Sequence, residues 1–187
     1  MTHGLKLLYE LTVKTGAKIG VKEYFQILED TLIGRFLPAF RMRRKRRLVM
    51  SPKFFFFDLA PVIHFTRRGP ISPGSELFGR AFEHYLFMEI TAHSSYSEKF
   101  YPVSYWRTAS GIEIDFILGD HEVAVEVKAT DQANSSHLKG LRRFREEYQV
   151  RRTILVSLDA RPRMTDDKIE ILPWSSFLEM LWKGEIL

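Results

Sequence analysis

The sequence predicts an α/β protein, a central mixed sheet flanked by helices, with a small segment of helices and a hairpin ahead of it. Three observations predict this. Residues 105–130 (YWRTASGIEIDFILGDHEVAVEVKAT) alternate apolar and polar side chains on both sides of a tight turn, the pattern of paired strands. Residues 76–90 (ELFGRAFEHYLFMEI) place apolar side chains at helical spacing. After a second amphipathic stretch, Thr153–Leu158 (TILVSL) is a short apolar run of strand length, so the order is helix, three strands, helix, strand.

Ahead of that domain, Leu5, Leu8, Leu11 and, slightly off phase, Val13 recur at helical spacing, and Gly16 supplies a stop. From Val21 to Ile33, Val21, Tyr24, Phe25, Leu28 and Leu32 form a second apolar stripe, with Lys22, Glu23, Gln26, Glu29 and Asp30 outward. After Gly34 two extended pieces, Arg35–Arg41 and Arg46–Met50, flank a basic run and read as a β-hairpin with a charged tip. Helix, helix and basic hairpin resemble a small winged-helix unit, assigned to residues 1–50. Glu23, Glu29 and Asp30 on its second helix would repel DNA, so packing against a neighbour competes with groove reading as that helix's role.

Phe54–Phe57 must face both ways if extended, which predicts a strand covered on two sides rather than a base-stacking platform. Asp58 is the predicted N-cap of a helix over Leu59–Phe65. Residues 67–75 (RRGPISPGS) form a linker, so 51–75 is assigned as connector and 76–187 as the main domain. On the helix over 76–90, Leu77, Phe78, Ala81, Phe82, Tyr85 and Leu86 form the apolar face; Glu76, Arg80, Glu83, His84 and Phe87 lie opposite. Gly79 sits one turn before Glu83 and weakens the helix by about 1 kcal/mol, a cost open space beside that carboxylate would explain. Glu83 also fits a simple solvated face. Towards the C-terminus, Leu138, Leu141, Phe144 and Tyr148 mark a helix, Lys168–Leu172 a last strand, and Trp174–Trp182 a closing helix whose tryptophans are expected in the core or as a lid.

The chain has 187 residues, 45% of them apolar and 13% aromatic, which excludes a disordered chain and a multi-domain machine. It contains no cysteine, so disulfide scaffolds, thiolate zinc sites and cysteine nucleophiles are excluded and a reducing cytoplasm is the expected setting. No uninterrupted apolar run of about 18 residues occurs, and the N-terminus lacks the pattern of a signal peptide, so no membrane partner is expected. Net charge is +5, from 28 Lys and Arg against 23 Asp and Glu. Six of the cations, Arg41, Arg43, Arg44, Lys45, Arg46 and Arg47, fall within seven residues, leaving the remainder near neutral. That run is either a solvated hairpin tip or a salt-sensitive contact to phosphates. Arg142 and Arg143, with Arg145, Arg151 and Arg152 near them, can likewise guide a nucleic-acid backbone or simply be solvated, since Glu146 and Glu147 dilute the patch.

The chemistry concentrates on the hairpin of residues 112–128. Alternation puts Ile112, Ile114, Phe116 and Leu118 on one face and Glu113, Asp115 and Ile117 on the other; on the second strand Val123, Val125 and Val127 oppose Glu122, Ala124, Glu126 and Lys128. With Gly119-Asp120 as a two-residue turn, Glu113 faces Glu126 and Asp115 faces Ala124, so Asp115 and Glu126 become diagonal neighbours roughly 7–8 Å apart. Three carboxylates side by side repel one another. A divalent cation relieves this: Mg²⁺ takes one or two carboxylates plus water and substrate phosphate, and Lys128 on the same face can orient an attacking water. An acid and a lysine in the otherwise apolar strand VAVEVK call for such a reason.

The pattern of Asp115, Glu126 and Lys128 on a hairpin, after a helix with Glu83, resembles the PD-(D/E)XK nuclease superfamily. More specifically, Leu77–Glu83 (LFGRAFE), Tyr105–Thr108 (YWRT), Gly111–Phe116 (GIEIDF) and Val125–Lys128 (VEVK) are similar to the C-terminal domain of unknown function, family 4143, found on predicted prokaryotic AAA-type ATPases. Gln26–Phe40 and Pro52–Asp58 resemble the region joining that domain to the ATPase. The resemblance implies Asp115, Glu126 and Glu83 as acidic metal positions for Mg²⁺ or Mn²⁺, Lys128 as the catalytic lysine and Glu113 as an accessory acid. It implies a DNA endonuclease or resolvase-like activity, or a non-catalytic DNA- or protein-binding module on the same fold. It also implies an ATPase partner, as a domain or a separate protein. Ile114, not proline, precedes Asp115, and no G-x-x-x-x-G-K-[ST] loop occurs, so this chain carries no P-loop ATPase of its own.

Overall fold

The computed structural model describes residues 20–41, 48–66 and 71–187, which divide into two units: 20–36 with 53–66, and 37–41 and 48–52 with 71–187. The predicted helix over residues 5–13 and the basic residues Arg43, Arg44, Lys45, Arg46 and Arg47 lie outside the described residues.

In the smaller unit, α1 (Val21–Asp30) leads into β1 (Gly34–Leu37), and β2 (Lys53–Phe56) leads into α2 (Leu59–Thr66). Phe25 of α1, Phe36 of β1 and Phe54 of β2 meet with ring centroids 4.8–6.2 Å apart. Gly34 belongs in this contact because a Cβ there would lie 2.3 Å from the Phe54 ring. Asp58 caps α2 as expected, its Oδ1 accepting the Ala60 N–H at 2.7 Å. Of the expected hairpin between 35–41 and 46–50, residues 42–47 lie outside the described residues, and among the described residues 35–41 and 48–50 do not pair with each other. β1 pairs with β2 instead, where the phenylalanines offer an apolar partner and no arginine stands opposite another.

Residues 37–41 and 48–52 belong to the larger unit. They run along β3 (Val103–Arg107): Ala39 bridges to Tyr105 and Leu48 to Thr108. The Phe40 N–H donates to the Tyr105 carbonyl (2.7 Å), the Tyr105 N–H to that of Pro38 (3.0 Å) and the Val49 N–H to that of Arg107 (2.8 Å). The polar edge of β3 is thereby satisfied by chain lying more than fifty residues earlier in sequence.

The sheet has the order β3-β4-β5-β6-β8-β7, with β4 (Glu113–Leu118), β5 (Val123–Val127), β6 (Arg152–Ser157), β7 (Arg163–Met164) and β8 (Glu170–Pro173). β3, β4 and β5 are antiparallel neighbours, β5-β6 and β6-β8 are parallel, and β7 is antiparallel to β8, so the sheet is mixed as expected. The parallel crossover from β5 to β6 carries α4 (Lys139–Arg145), preceded by a 3₁₀ turn at Ser135–Leu138. Leu141 and Phe144 of α4 pack with Trp106, Ile117, Ala124 and Leu155 on one face. On the other face α3 (Glu76–Tyr96) stacks Phe87 on Phe116 at 6.1 Å, and α5 (Trp174–Trp182) buries Phe177 and Leu181.

Two burial expectations are corrected. His84 and Phe87 of α3 are buried while Tyr85 is 41% exposed, because α3 is covered by the sheet and by α5 together and so buries a wider arc than one stripe. Trp174 and Trp182 are not core residues; both are half-exposed, with Trp182 Nε1 donating to Glu89 at 2.8 Å.

Candidate functional site

The site begins with two departures from ideal strand geometry. The turn between β4 and β5 contains four residues, Gly119–Glu122, not two. Leu118 faces Val123, Ile117 faces Ala124 and Phe116 faces Val125. Gly119 (φ +65°) and His121 (φ +60°) take the left-handed conformations that close it. One step beyond these last paired residues, Asp115 and Glu126 come near enough for the charge of Asp115 to act on the Glu126 carboxyl, whereas a two-residue turn would have put Asp115 across from Ala124.

A bulge supplies the second departure. Between the pairs Ser104–Ile117 and Trp106–Ile114, β3 has one residue, Tyr105, and β4 has two, Asp115 and Phe116. Strict alternation therefore breaks at Asp115: Ile114 and Ile117, expected on opposite faces, join the same core cluster. The bulge also ends regular pairing with β5, and the Asp115 side chain takes over, its Oδ2 accepting the Val127 N–H at 2.8 Å. This fixes the carboxylate on the strand that carries Glu126.

Asp115 (9% exposed) and Glu126 (6%) are both buried. Lys128 follows β5, its own N–H held by the Val156 carbonyl at 2.9 Å, and its Nζ reaches Glu126 Oε1 at 2.5 Å. The second oxygen, Glu126 Oε2, is buried with no hydrogen-bond partner among the described residues. Burial, then the charge of Asp115, push the Glu126 carboxyl well above the usual range, with Glu113 adding to the effect and Lys128 opposing it. For Lys128, burial alone would lower the ammonium, but Glu126, Asp115 and Glu83 outweigh it and the net shift is upward. The lysine is therefore a fixed cation at neutral pH.

Glu83 and Glu113 thus reach the same site through their fields. Glu83 is half-buried on α3, whose Gly79 faces the chain just past Lys128: a Cβ on Gly79 would find Ala129 as its nearest neighbour, at 4.0 Å. Glu113 opens β4 opposite Arg107, with Nε to Oε2 at 3.6 Å. Sequence reasoning gives Arg107 no part here; the signal was its place at the end of a strand facing Glu113. All four acids and the lysine gather at one end of the sheet.

The arrangement suits a hard divalent cation by its donor chemistry. Two buried carboxylates lie within each other's field, and one buried oxygen lacks any donor among the described residues. Among the described residues no three His, Asp or Glu side chains converge into a complete ligand set, so water and a substrate phosphate would have to finish the coordination of an ion held at Asp115 and Glu126.

The candidate DNA contacts elsewhere are less open. Arg142 is engaged by Asp167 (2.7 Å) and Ser135 Oγ (2.7 Å), and Arg143 by Glu146 (2.8 Å). Arg41 is exposed next to Phe40, and the rest of the basic run is outside the described residues. A cleft of about 600 Å³ bordered by Asn134, Arg142, Arg163 and Asp167 does not include the acid–lysine group. No helix among the described residues is long and apolar enough to cross a membrane.

The sequence pattern of a family described as "Domain of unknown function (DUF4143)" matches residues 78–177, more than half of the chain and inclusive of every acid of the site and Lys128. No curated protein and no solved structure matches.

Proposed function

The chain belongs to the DUF4143 family, whose description assigns no activity, and from the buried acid pair beside Lys128 we propose that it is a divalent-metal-dependent DNA endonuclease or resolvase-like module on a PD-(D/E)XK core. The observation that carries this reading is the buried Glu126 Oε2, an acceptor without a donor, in the field of a second buried carboxylate, Asp115. A protein interior leaves such an atom unpaired at a cost of about 1–3 kcal/mol, more when it is charged, so a use for it is expected.

In this reading Asp115 and Glu126 hold Mg²⁺ or Mn²⁺, and Glu83 contributes directly or through water. The ion, when bound, stabilises the negative charge that develops on the scissile phosphate. Lys128, cationic throughout the neutral range, orients the attacking water or holds a non-bridging phosphate oxygen; its raised proton affinity argues against service as a general base. Val127 N–H keeps Asp115 from turning away from the site. The run Arg41–Arg47 tethers the DNA, and an ATPase, as a domain or a separate protein, is the proposed partner.

A second reading, a non-catalytic DNA- or protein-binding module, is favoured by one contact. Lys128 lies on Glu126 Oε1 at 2.5 Å and occupies an oxygen that a metal would want. Calorimetric titration with Mn²⁺, run beside cleavage of plasmid, forked and four-way-junction DNA, separates the two. The nuclease reading expects one ion bound by the wild type and lost in Asp115→Asn, with cleavage falling by about 100-fold or more in Asp115→Asn and Lys128→Ala. Cleavage unchanged in both variants would eliminate the mechanism; DNA binding without cleavage would leave the second reading.

A further inference from the structure

We propose that Arg107 is a phosphate-contacting residue of this site, which leaves Glu113 to hold the nucleic-acid backbone beside the phosphodiester facing Asp115, Glu126 and Lys128. The inference rests on the nuclease reading above and gives that site the cation it needs to admit a polyanion.

Glu83, Glu113, Asp115 and Glu126 bring four carboxylates to one end of the sheet, and Lys128 lies against Glu126. A divalent ion offsets two charges; the remaining field still repels a phosphate backbone. Arg107 stands at the same end of the sheet, paired in register with Glu113, two residues before Asp115 on the neighbouring strand. Its backbone is fixed on both sides, by the ladder to β4 and by the Val49 N–H on its carbonyl. The turn that follows is also built, with Thr108 Oγ1 accepting the Ile112 N–H at 3.0 Å and Gly111 at φ +84°. The guanidinium therefore pivots from a rigid base.

Its resting contact is weak. The Arg107–Glu113 separation of 3.6 Å exceeds a hydrogen bond, whereas Arg142 and Arg152 hold their carboxylates at 2.7 and 2.6 Å. The Arg107 side chain is 48% exposed, so solvent screens the pair and little stability rides on it. Arg152, 17% exposed and forked onto Glu170, is by contrast a structural cation. A planar guanidinium with spare donors, beside an acid that costs little to leave, is the group that binds phosphate oxygens in pairs.

The test uses the full chain with Asp115→Asn added to block cleavage, and reads anisotropy of a fluorescein-labelled DNA duplex across 50–200 mM KCl. Arg107→Ala is expected to lower the slope of log affinity against log salt by about 0.9, one phosphate contact, with an unchanged melting temperature. Arg107→Lys should keep the slope, since the charge remains. Glu113→Gln should tighten binding, and that gain should vanish in Glu113→Gln/Arg107→Ala if the freed arginine produces it. A parent that binds duplex with the same slope in Arg107→Ala overturns the role of Arg107 while leaving the nuclease reading intact. A parent with no measurable affinity for DNA, whose wild-type form also fails to cleave, overturns both.

Discussion

At the scale of the residue, the site is a case of a fold holding charges where water cannot reach them. Glu126 lies in a strand whose other members are Val123, Ala124, Val125 and Val127, all buried, and its orphaned oxygen has neither solvent nor donor. The stability consequence has a definite sign. Burial and Asp115 raise this carboxyl in the folded protein above its value in the unfolded chain, near 4.5. The folded state therefore binds the proton more tightly, and stability from this group is fully present below that value and lost as pH rises through the elevated folded one. Glu126→Gln removes the charge and keeps the shape. Without divalent metal it should melt higher than the wild type at pH 8, by on the order of 1–3 kcal/mol, with the difference shrinking towards pH 4. Thermal melts followed by circular dichroism check this; a Glu126→Gln protein less stable at pH 8 than at pH 4, relative to the wild type, would show that the Lys128 pair outweighs burial. Mn²⁺ should raise the wild-type melting temperature at pH 8 and leave that of Glu126→Gln unmoved.

At the scale of the element, two glycines of the helices that flank the sheet make opposite predictions. Gly140 in α4 presses on the start of β4: a Cβ there would lie 2.3 Å from the Glu113 carbonyl oxygen, a backbone atom that cannot swing aside. Gly140→Ala should destabilise by about 1–3 kcal/mol from overpacking despite gaining roughly 1 kcal/mol in helix propensity. Gly79 in α3 has only Ala129 Cβ, at 4.0 Å, near its missing Cβ, so Gly79→Ala should stabilise by about 0.5–1 kcal/mol. Urea unfolding of both variants measures the contrast, and equal effects would mean that helix propensity alone decides. The same elements show what could be read from the sequence. Alternation exposed β4 and β5, the helical stripe exposed α3, and the acids and Lys128 stood out because the strand around them is apolar. The register was not legible, because a turn of two and a turn of four residues satisfy the same alternation, and only the backbone of Gly119 and His121 distinguishes them. The bulge at Asp115-Phe116 was hidden for a related reason: an extra residue changes which side chains share a face without changing the apolar pattern, as Ile114 and Ile117 demonstrate.

At the scale of the whole molecule, the least legible feature is how the early segment joins the sheet. Local composition placed the boundary at residue 50 and the last linker at 67–75, because basic and Gly/Pro-rich stretches look like hinges. Contacts between Ala39 and Tyr105 or Leu48 and Thr108 span sixty residues or more and leave no local trace. Their consequence is physical. β3 is the outermost strand before these segments are counted, and Tyr105 uses both its N–H and its carbonyl on them, while its hydroxyl donates to the Ser51 carbonyl. A fragment beginning at residue 71 keeps every strand of the six-stranded sheet yet exposes that edge and loses Phe40 and Leu48, which pack against the core cluster on one face of the sheet. Unpaired edges of this kind recruit other chains. The fragment 71–187 should therefore associate or lose its cooperative melt where the full chain melts as a discrete species, and light scattering with circular dichroism would report it. Adding residues 37–52 back as a separate peptide should restore part of the transition, since the lost partners are backbone groups and not a catalytic side chain. A fragment 71–187 that is monomeric and as stable as the full chain would mean the early segment merely lies on β3 without completing it.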